Sequence, residues 1–129
     1  MLLAEDHEQM LAYVREFLSA NCCELVGAVS DGQAAVEAAA RLLPDVIILD
    51  VSMPVVNGID AARRILTDNP SAKVVFLTVD KDLDTRRTAL ETGALGYVLK
   101  PRLATDLIPA VRLAHEGRGY VSPEPDSSP

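Results

Sequence analysis

The 129 residues include 19 acidic and 12 basic side chains, for a net charge of −7, and 49% of them are apolar. Such a length and apolar share fit one domain with a sizeable core rather than two, and the acidic balance argues against non-specific DNA binding, which needs a basic surface. No uninterrupted apolar stretch approaches the ~20 residues that span a bilayer, and Glu5-Asp6 arrives before a signal-peptide hydrophobic region can develop, so a soluble cytoplasmic protein is expected.

Short apolar runs alternate with longer segments of helical period. Leu2-Leu3-Ala4 reads as a first strand. Met10, Leu11, Val14, Phe17 and Leu18 recur at steps of three and four, predicting an amphipathic helix over residues 8 to 20. Leu25 to Val29 is the second strand candidate. The turn Ser30-Asp31-Gly32 leads into an alanine-rich helix from Gln33 to Leu43, stopped by Pro44. Val46 to Leu49 is apolar without alternation, as a strand covered on both faces should be.

Ile59, Ala62, Ile65 and Leu66 give the third helix its buried stripe, which ends near Asn69-Pro70. Lys73 to Thr78 is the fourth strand, and Leu83 to Thr92 the fourth helix, with Gly93 available as its cap. Leu95 to Leu99 is the fifth strand. Leu103, Leu107, Val111 and Ala114 line a last helix in which Pro109 either marks a kink or follows a ragged first turn. Strand–helix alternation with short turns means crossover connections: an α/β domain with a doubly wound, five-stranded parallel sheet and helices on both faces. The domain is expected to occupy residues 1–120, and the proline-rich residues 121–129 to form a flexible tail or truncated linker.

In a parallel sheet the C-terminal strand ends share one edge, where ligands bind. Glu5 and Asp6 leave the first strand, Asp50 the third, Thr78 the fourth and Lys100 the fifth. Carboxylates brought that close repel one another and need a cation, either Lys100 or a divalent ion. Oxygen donors with no histidine or cysteine cluster favour a hard metal, most plausibly magnesium. An aspartate nucleophile at Asp50 would take up a phosphoryl group as a labile acyl phosphate, with Thr78 and Lys100 holding the phosphoryl oxygens. Taken singly, each residue has a plainer reading: a turn or cap at Asp50 and Thr78, a helix start at Glu5-Asp6, a surface charge at Lys100. Their joint placement outweighs those readings. His7, with only His115 as a second histidine, is read as a loop residue, and the adjacent Cys22 and Cys23 as reduced and structurally minor.

Leu3-Ala4-Glu5-Asp6-His7, Ile48 to Pro54 with Asn57-Gly58, Leu77-Thr78 and Gly96 to Pro101 follow in this order over Leu2 to Tyr120. Together they resemble the receiver domain of bacterial two-component response regulators. The resemblance implies a flavodoxin-like strand order 2-1-3-4-5. It implies Asp50 as the acceptor of a phosphoryl group from a histidine kinase, and Mg2+ held by Asp6, Asp50 and the carbonyl of Ser52 with Glu5 completing the acidic pair. Lys100 would contact the phosphoryl group, aimed by a cis bond before Pro101. Thr78 would be the switch hydroxyl and Tyr97 the aromatic that rotates inward with it, relaying the change to the face made by the fourth helix, fifth strand and fifth helix. Tyr97 on its own would read as a half-buried strand aromatic.

Three positions depart from the family pattern or leave it open. Val79 stands where a small residue is common, and its branched side chain is expected to narrow the route to the phosphoryl group. Ser52 and Asp80 fall where side chains influence attacking water, and Asp80 would either repel phosphate or orient the water. The ending Gly117 to Glu124 resembles the junction to a helix-turn-helix output domain. The expectation is an excised receiver of a transcriptional regulator that dimerises on phosphorylation to act on DNA; loss of the output domain is the alternative. A phosphatase of the same fold is disfavoured, since Ser52 sits where its general acid would be needed. A degenerate receiver used only as a protein-binding module is the remaining reading.

Overall fold

The computed structural model describes residues 1–123. Along the chain come β1 (Leu2–Ala4), α1 (Glu8–Ala20), β2 (Gly27–Val29), α2 (Gly32–Leu42), β3 (Ile47–Leu49), α3 (Gly58–Asp68), β4 (Val74–Thr78), α4 (Leu83–Glu91), β5 (Gly96–Leu99), a 3-10 turn (Lys100–Arg102), α5 (Leu103–His115) and β6 (Tyr120–Val121). The strands form one parallel sheet in the order β2-β1-β3-β4-β5-β6. The expected doubly wound order is therefore present with a sixth strand added.

Successive strand residues point to opposite faces, and each face has its own core. Leu2, Ala4, Ile47, Leu49, Val74, Phe76, Tyr97 and Leu99 pack with Ala35, Ala38, Ala62, Ile65 and Ala89 of α2, α3 and α4. Leu3, Ile48, Val75, Leu77 and Val98 pack with Val14 and Leu18 of α1 and Leu103, Leu107 and Ala110 of α5. Coverage on both sides is why the strands read as unbroken apolar runs. Each large side chain so buried contributes about 1.5–3 kcal/mol. No helix among the described residues is long and apolar enough to cross a membrane.

Local chemistry starts the helices where the site needs them. Asp31 accepts from the Ala34 N–H (2.7 Å), Asn57 from Asp60 (2.9 Å), and Asp82 from Asp84 (2.8 Å) and Thr85 (3.3 Å), each satisfying donors that a first helical turn leaves unpaired. α5 runs through Pro109 without interruption.

The chain beyond Tyr120 corrects the expected boundary. Tyr120 and Val121 pair with Gly96 and Tyr97, and Ser122 is buried. The pairing supplies partners to the outer edge of β5, so the ordered domain reaches at least Ser122 rather than ending at Tyr120. Residues 124–129, assigned above to a flexible tail, lie outside the described residues.

Candidate functional site

Strand register assembles the site. Ala4 pairs with Leu49, so the residues that follow them, Glu5 and Asp50, leave neighbouring strands side by side. Thr78 pairs with Leu99, which places Lys100 just past the end of β4. The Lys100 ammonium reaches across β4 to donate to Glu5 Oε1 at 2.7 Å and to Asp50 Oδ2 at 3.0 Å. Both carboxylates are largely removed from water, at 2% exposure for Glu5 and 6% for Asp50. Burial alone would lower the Lys100 pKa, but its hydrogen bonds to Glu5 and Asp50, with their charges, outweigh burial and raise it. Burial raises the Glu5 pKa above its ordinary value and the Asp50 charge adds to it, against Lys100 and the His7 N–H, which donates to Oε2 at 3.1 Å.

The other oxygen of Asp50 is nearly unclaimed. Oδ1 accepts only a long bond from the Ser52 N–H, at 3.4 Å. Asp6 is exposed, and its carboxylate lies with those of Glu5 and Asp50 in a cluster whose oxygens are within 4.8 Å of one another. An all-oxygen donor set of this charge suits a hard divalent cation, and among the described residues it is the one acidic or histidine/cysteine group of this kind. A cleft of about 760 Å³ opens beside it, lined by Asp6, Ser52, Asn57, Asp60, Arg63 and Asp80 among others.

Gly58 holds the cleft's floor together. A Cβ there would fall 1.8 Å from the Asp50 carbonyl oxygen, so only glycine lets the start of α3 lie against the phosphoacceptor candidate's backbone. The Gly58 N–H donates to the Val51 carbonyl at 2.7 Å. In the same loop Val55 takes a left-handed backbone (φ 69°) with its side chain 80% exposed, a strained choice for a β-branched residue.

A second group forms at the end of β4. Thr78 is buried, and its hydroxyl accepts from the Asp80 N–H at 3.2 Å. Tyr97 is buried beside Phe76 and donates its hydroxyl to the Asp80 carbonyl at 2.7 Å. Burial, with the nearby Asp80 charge, pushes the Tyr97 phenol well above its ordinary pKa, so it stays a donor. Tyr97 is thus inward and tied to the Thr78–Asp80 turn, rather than the half-buried aromatic of the plainer reading. Val79, in contrast, is 69% exposed and is not one of the residues lining the cleft.

One expectation is overturned. There is no cis peptide bond among the described residues, so the bond before Pro101 is trans. Pro101 lies early in the 3-10 turn that leads into α5, where its fixed φ and missing N–H are tolerated, and that turn directs Lys100. His7 is an exposed loop residue, and Cys22 and Cys23 are free thiols.

The reading of the sequence missed Arg102, Asp106, Tyr120 and Ser122. Asp106 is completely buried, within an α5 stripe that includes Leu103, Leu107, Ala110, Val111 and Ala114. An acidic residue at the three-four spacing of an apolar stripe was the available signal.

Comparison with known proteins identifies the family. Residues 1–112 match the response regulator receiver domain family. The transcriptional regulatory protein PdtaR of Mycobacterium tuberculosis is 41% identical over 88% of this chain and 55% of its own length. DegU of Brevibacillus brevis, also a transcriptional regulatory protein, is 35% identical over 96% of this chain and 53% of its own. The chain therefore spans little more than half of these relatives. Among solved structures, the signal receiver domain of the putative regulator NarL from M. tuberculosis superposes with a TM-score of 0.85 at 30% identity, covering 91% of this chain and 95% of that one. A LuxR-family two-component response regulator from Aurantimonas gives 0.89 at 25% identity, over 97% and 89%.

Proposed function

The chain belongs to the response regulator receiver family, and on that premise we propose that it is a phosphorylation-operated switch whose acceptor is Asp50 and whose donor is a histidine kinase. The observation that carries this reading is the Lys100 ammonium held between Glu5 and Asp50, with the second oxygen of Asp50 claimed only by a long bond from the Ser52 N–H. A carboxylate with a free lone pair is a competent nucleophile. As its oxygen bonds to phosphorus, the bond to the donor breaks and the electron pair leaves on the donor.

Asp6, Asp50 and the Ser52 carbonyl, with Glu5 beside them, are the residues that would hold Mg2+. When bound, the ion supplies positive charge against the phosphoryl oxygens. Lys100 is already placed to add its own charge there, and the Thr78 hydroxyl would turn from Asp80 to the new acyl phosphate. Tyr97 is tied to that same turn, so movement of Thr78 is passed to the face of α4, β5 and α5. Ser52 and Asp80 stand where they would influence attacking water, and through it the lifetime of the phosphorylated state. The full-length protein would carry a DNA-binding domain after this one and act in transcription, with dimerisation as the link. Relatives of which this chain spans little more than half, and which are named as transcriptional regulators, support this.

The test is intact mass after incubation with Mg2+ and a small phosphodonor, with Asp50→Asn alongside. The expected result is one phosphoryl adduct on the wild type and none on the variant. A folded wild type that takes no adduct overturns the switch and leaves a binding module that works without phosphorylation.

A further inference from the structure

A second polar cluster joins the start of α5 to β6 and the residue after it. The Asp106 carboxylate, at 0% exposure, accepts four hydrogen bonds. They come from Arg102 Nε (2.7 Å) and Nη2 (3.3 Å), the Tyr120 hydroxyl (2.9 Å) and the Ser122 hydroxyl (2.7 Å). Desolvating a carboxylate is costly, and an apolar residue would simply have continued the α5 stripe. The last link of the cluster shows what it achieves. While donating to Asp106, the Ser122 hydroxyl accepts from the Leu99 N–H at 3.1 Å, and the Ser122 N–H donates to the Tyr97 carbonyl at 2.9 Å. One residue thus grips β5 on both sides of Val98, and its upper grip is the residue before Lys100.

We infer that Asp106 and Ser122 are positioning residues for Lys100. The inference rests on the proposed role of that lysine. β4 holds Leu99 from one side of the sheet through the Thr78 pairing. Ser122, oriented by Asp106, holds it from the other. Beyond Leu99 the backbone leaves the sheet for the 3-10 turn, so this is the last fixed point before the lysine. From there the Lys100 side chain spans β4 to reach β3 and β1, and any rotation at its base is magnified along four methylenes. The segment from Tyr120 to Ser122 is therefore part of the frame of the phosphoacceptor site.

Two variants separate this role from general loosening. Ser122→Ala removes the link to Leu99. Tyr120→Phe removes one bond to the same carboxylate and leaves that link in place. Ser122→Ala is expected to label at Asp50 about tenfold more slowly with Mg2+ and a small phosphodonor, as for misplacement of a catalytic group by a fraction of an ångström. Tyr120→Phe should stay within about twofold of the wild type, and Ser122→Thr, which keeps the hydroxyl, should recover the rate. The 15N resonance of the Lys100 ammonium, read without any phosphodonor, should move in Ser122→Ala and hold in Tyr120→Phe. An unmoved resonance in Ser122→Ala, or equal changes in both variants, overturns the inference. Should the wild type take no phosphoryl group, the switch falls, while the resonance still decides the positioning.

Discussion

Asp50 and Asp106 are both carboxylates taken out of water, and both have a basic partner, yet they are built for opposite ends. Asp106 has each oxygen claimed twice, by Arg102 and Tyr120 on one and by Arg102 and Ser122 on the other. Asp50 has one short bond, from a lysine it shares with Glu5, and one long bond from a backbone N–H. A saturated carboxylate has no lone pair left to attack anything and acts as a fastener. An under-satisfied one beside a like charge is held at a cost, and an incoming electrophile or cation relieves that cost. The difference lies in the donor count rather than in the depth of burial.

The contrast can be broken first through stability. Asp106→Ala should destabilise the domain by about 3 kcal/mol, the lower end for breaking a buried charge pair because Arg102 is partly exposed and can rehydrate. Asp50→Asn should change stability by about 1 kcal/mol or less, because repulsion from Glu5 is removed along with part of the attraction to Lys100. Urea denaturation of the two variants against the wild type measures both; equal losses would erase the distinction.

Acid sharpens it next. Burial pushes the Asp106 pKa up, but the hydrogen bonds from Arg102, Ser122 and Tyr120 outweigh burial and set it below the usual carboxylate value. For an acid lowered on folding, the stabilisation is fully present above the unfolded pKa of about 3.9 and is lost as pH falls through the folded value. Glu5 is raised instead, so its charged form opposes folding at neutral pH and protonation relieves it. Amide exchange followed from pH 7 downward should therefore leave Tyr120–Ser122 protected until below about pH 3.9, later than the surroundings of Glu5 respond. Early release of the C-terminal strand would show that Asp106 is not held low.

The smallest expected effect is at Val79. It is exposed and outside the cleft lining, so any narrowing of the route to Asp50 is expected to be slight. Val79→Ala should speed both phosphorylation and decay of the adduct by about twofold. Rates unchanged from the wild type would remove Val79 from the site.

Much of this was legible because burial and strand polarity leave strong patterns. Apolar runs ending in Glu5, Asp50, Thr78 and Lys100 marked both the strands and the edge they share. Asp31 fell in the turn read before the second helix, whereas the capping roles of Asn57 and Asp82 were not read from the sequence. The sixth strand was hidden because two paired residues carry no periodicity and the prolines after them suggest a tail. Asp106 was hidden for a different reason: an acidic residue four after an arginine in a first helical turn looks like a solvated pair, and only the stripe it interrupts betrays it. The trans bond before Pro101 and the left-handed Val55 depend on how the loops close, and no local pattern encodes them.

The grip of β6 on β5 also decides where this fold can be cut. A boundary drawn at Tyr120 would pass through the sheet, stripping partners from the Leu99 N–H and the Tyr97 carbonyl. It would leave the outer edge of β5 from Tyr97 to Leu99 with unpaired groups, the kind of template on which second copies of a chain stack and aggregate. Solubility of the isolated domain is therefore expected to depend on Val121 and Ser122, two residues that read in the sequence as the start of a linker.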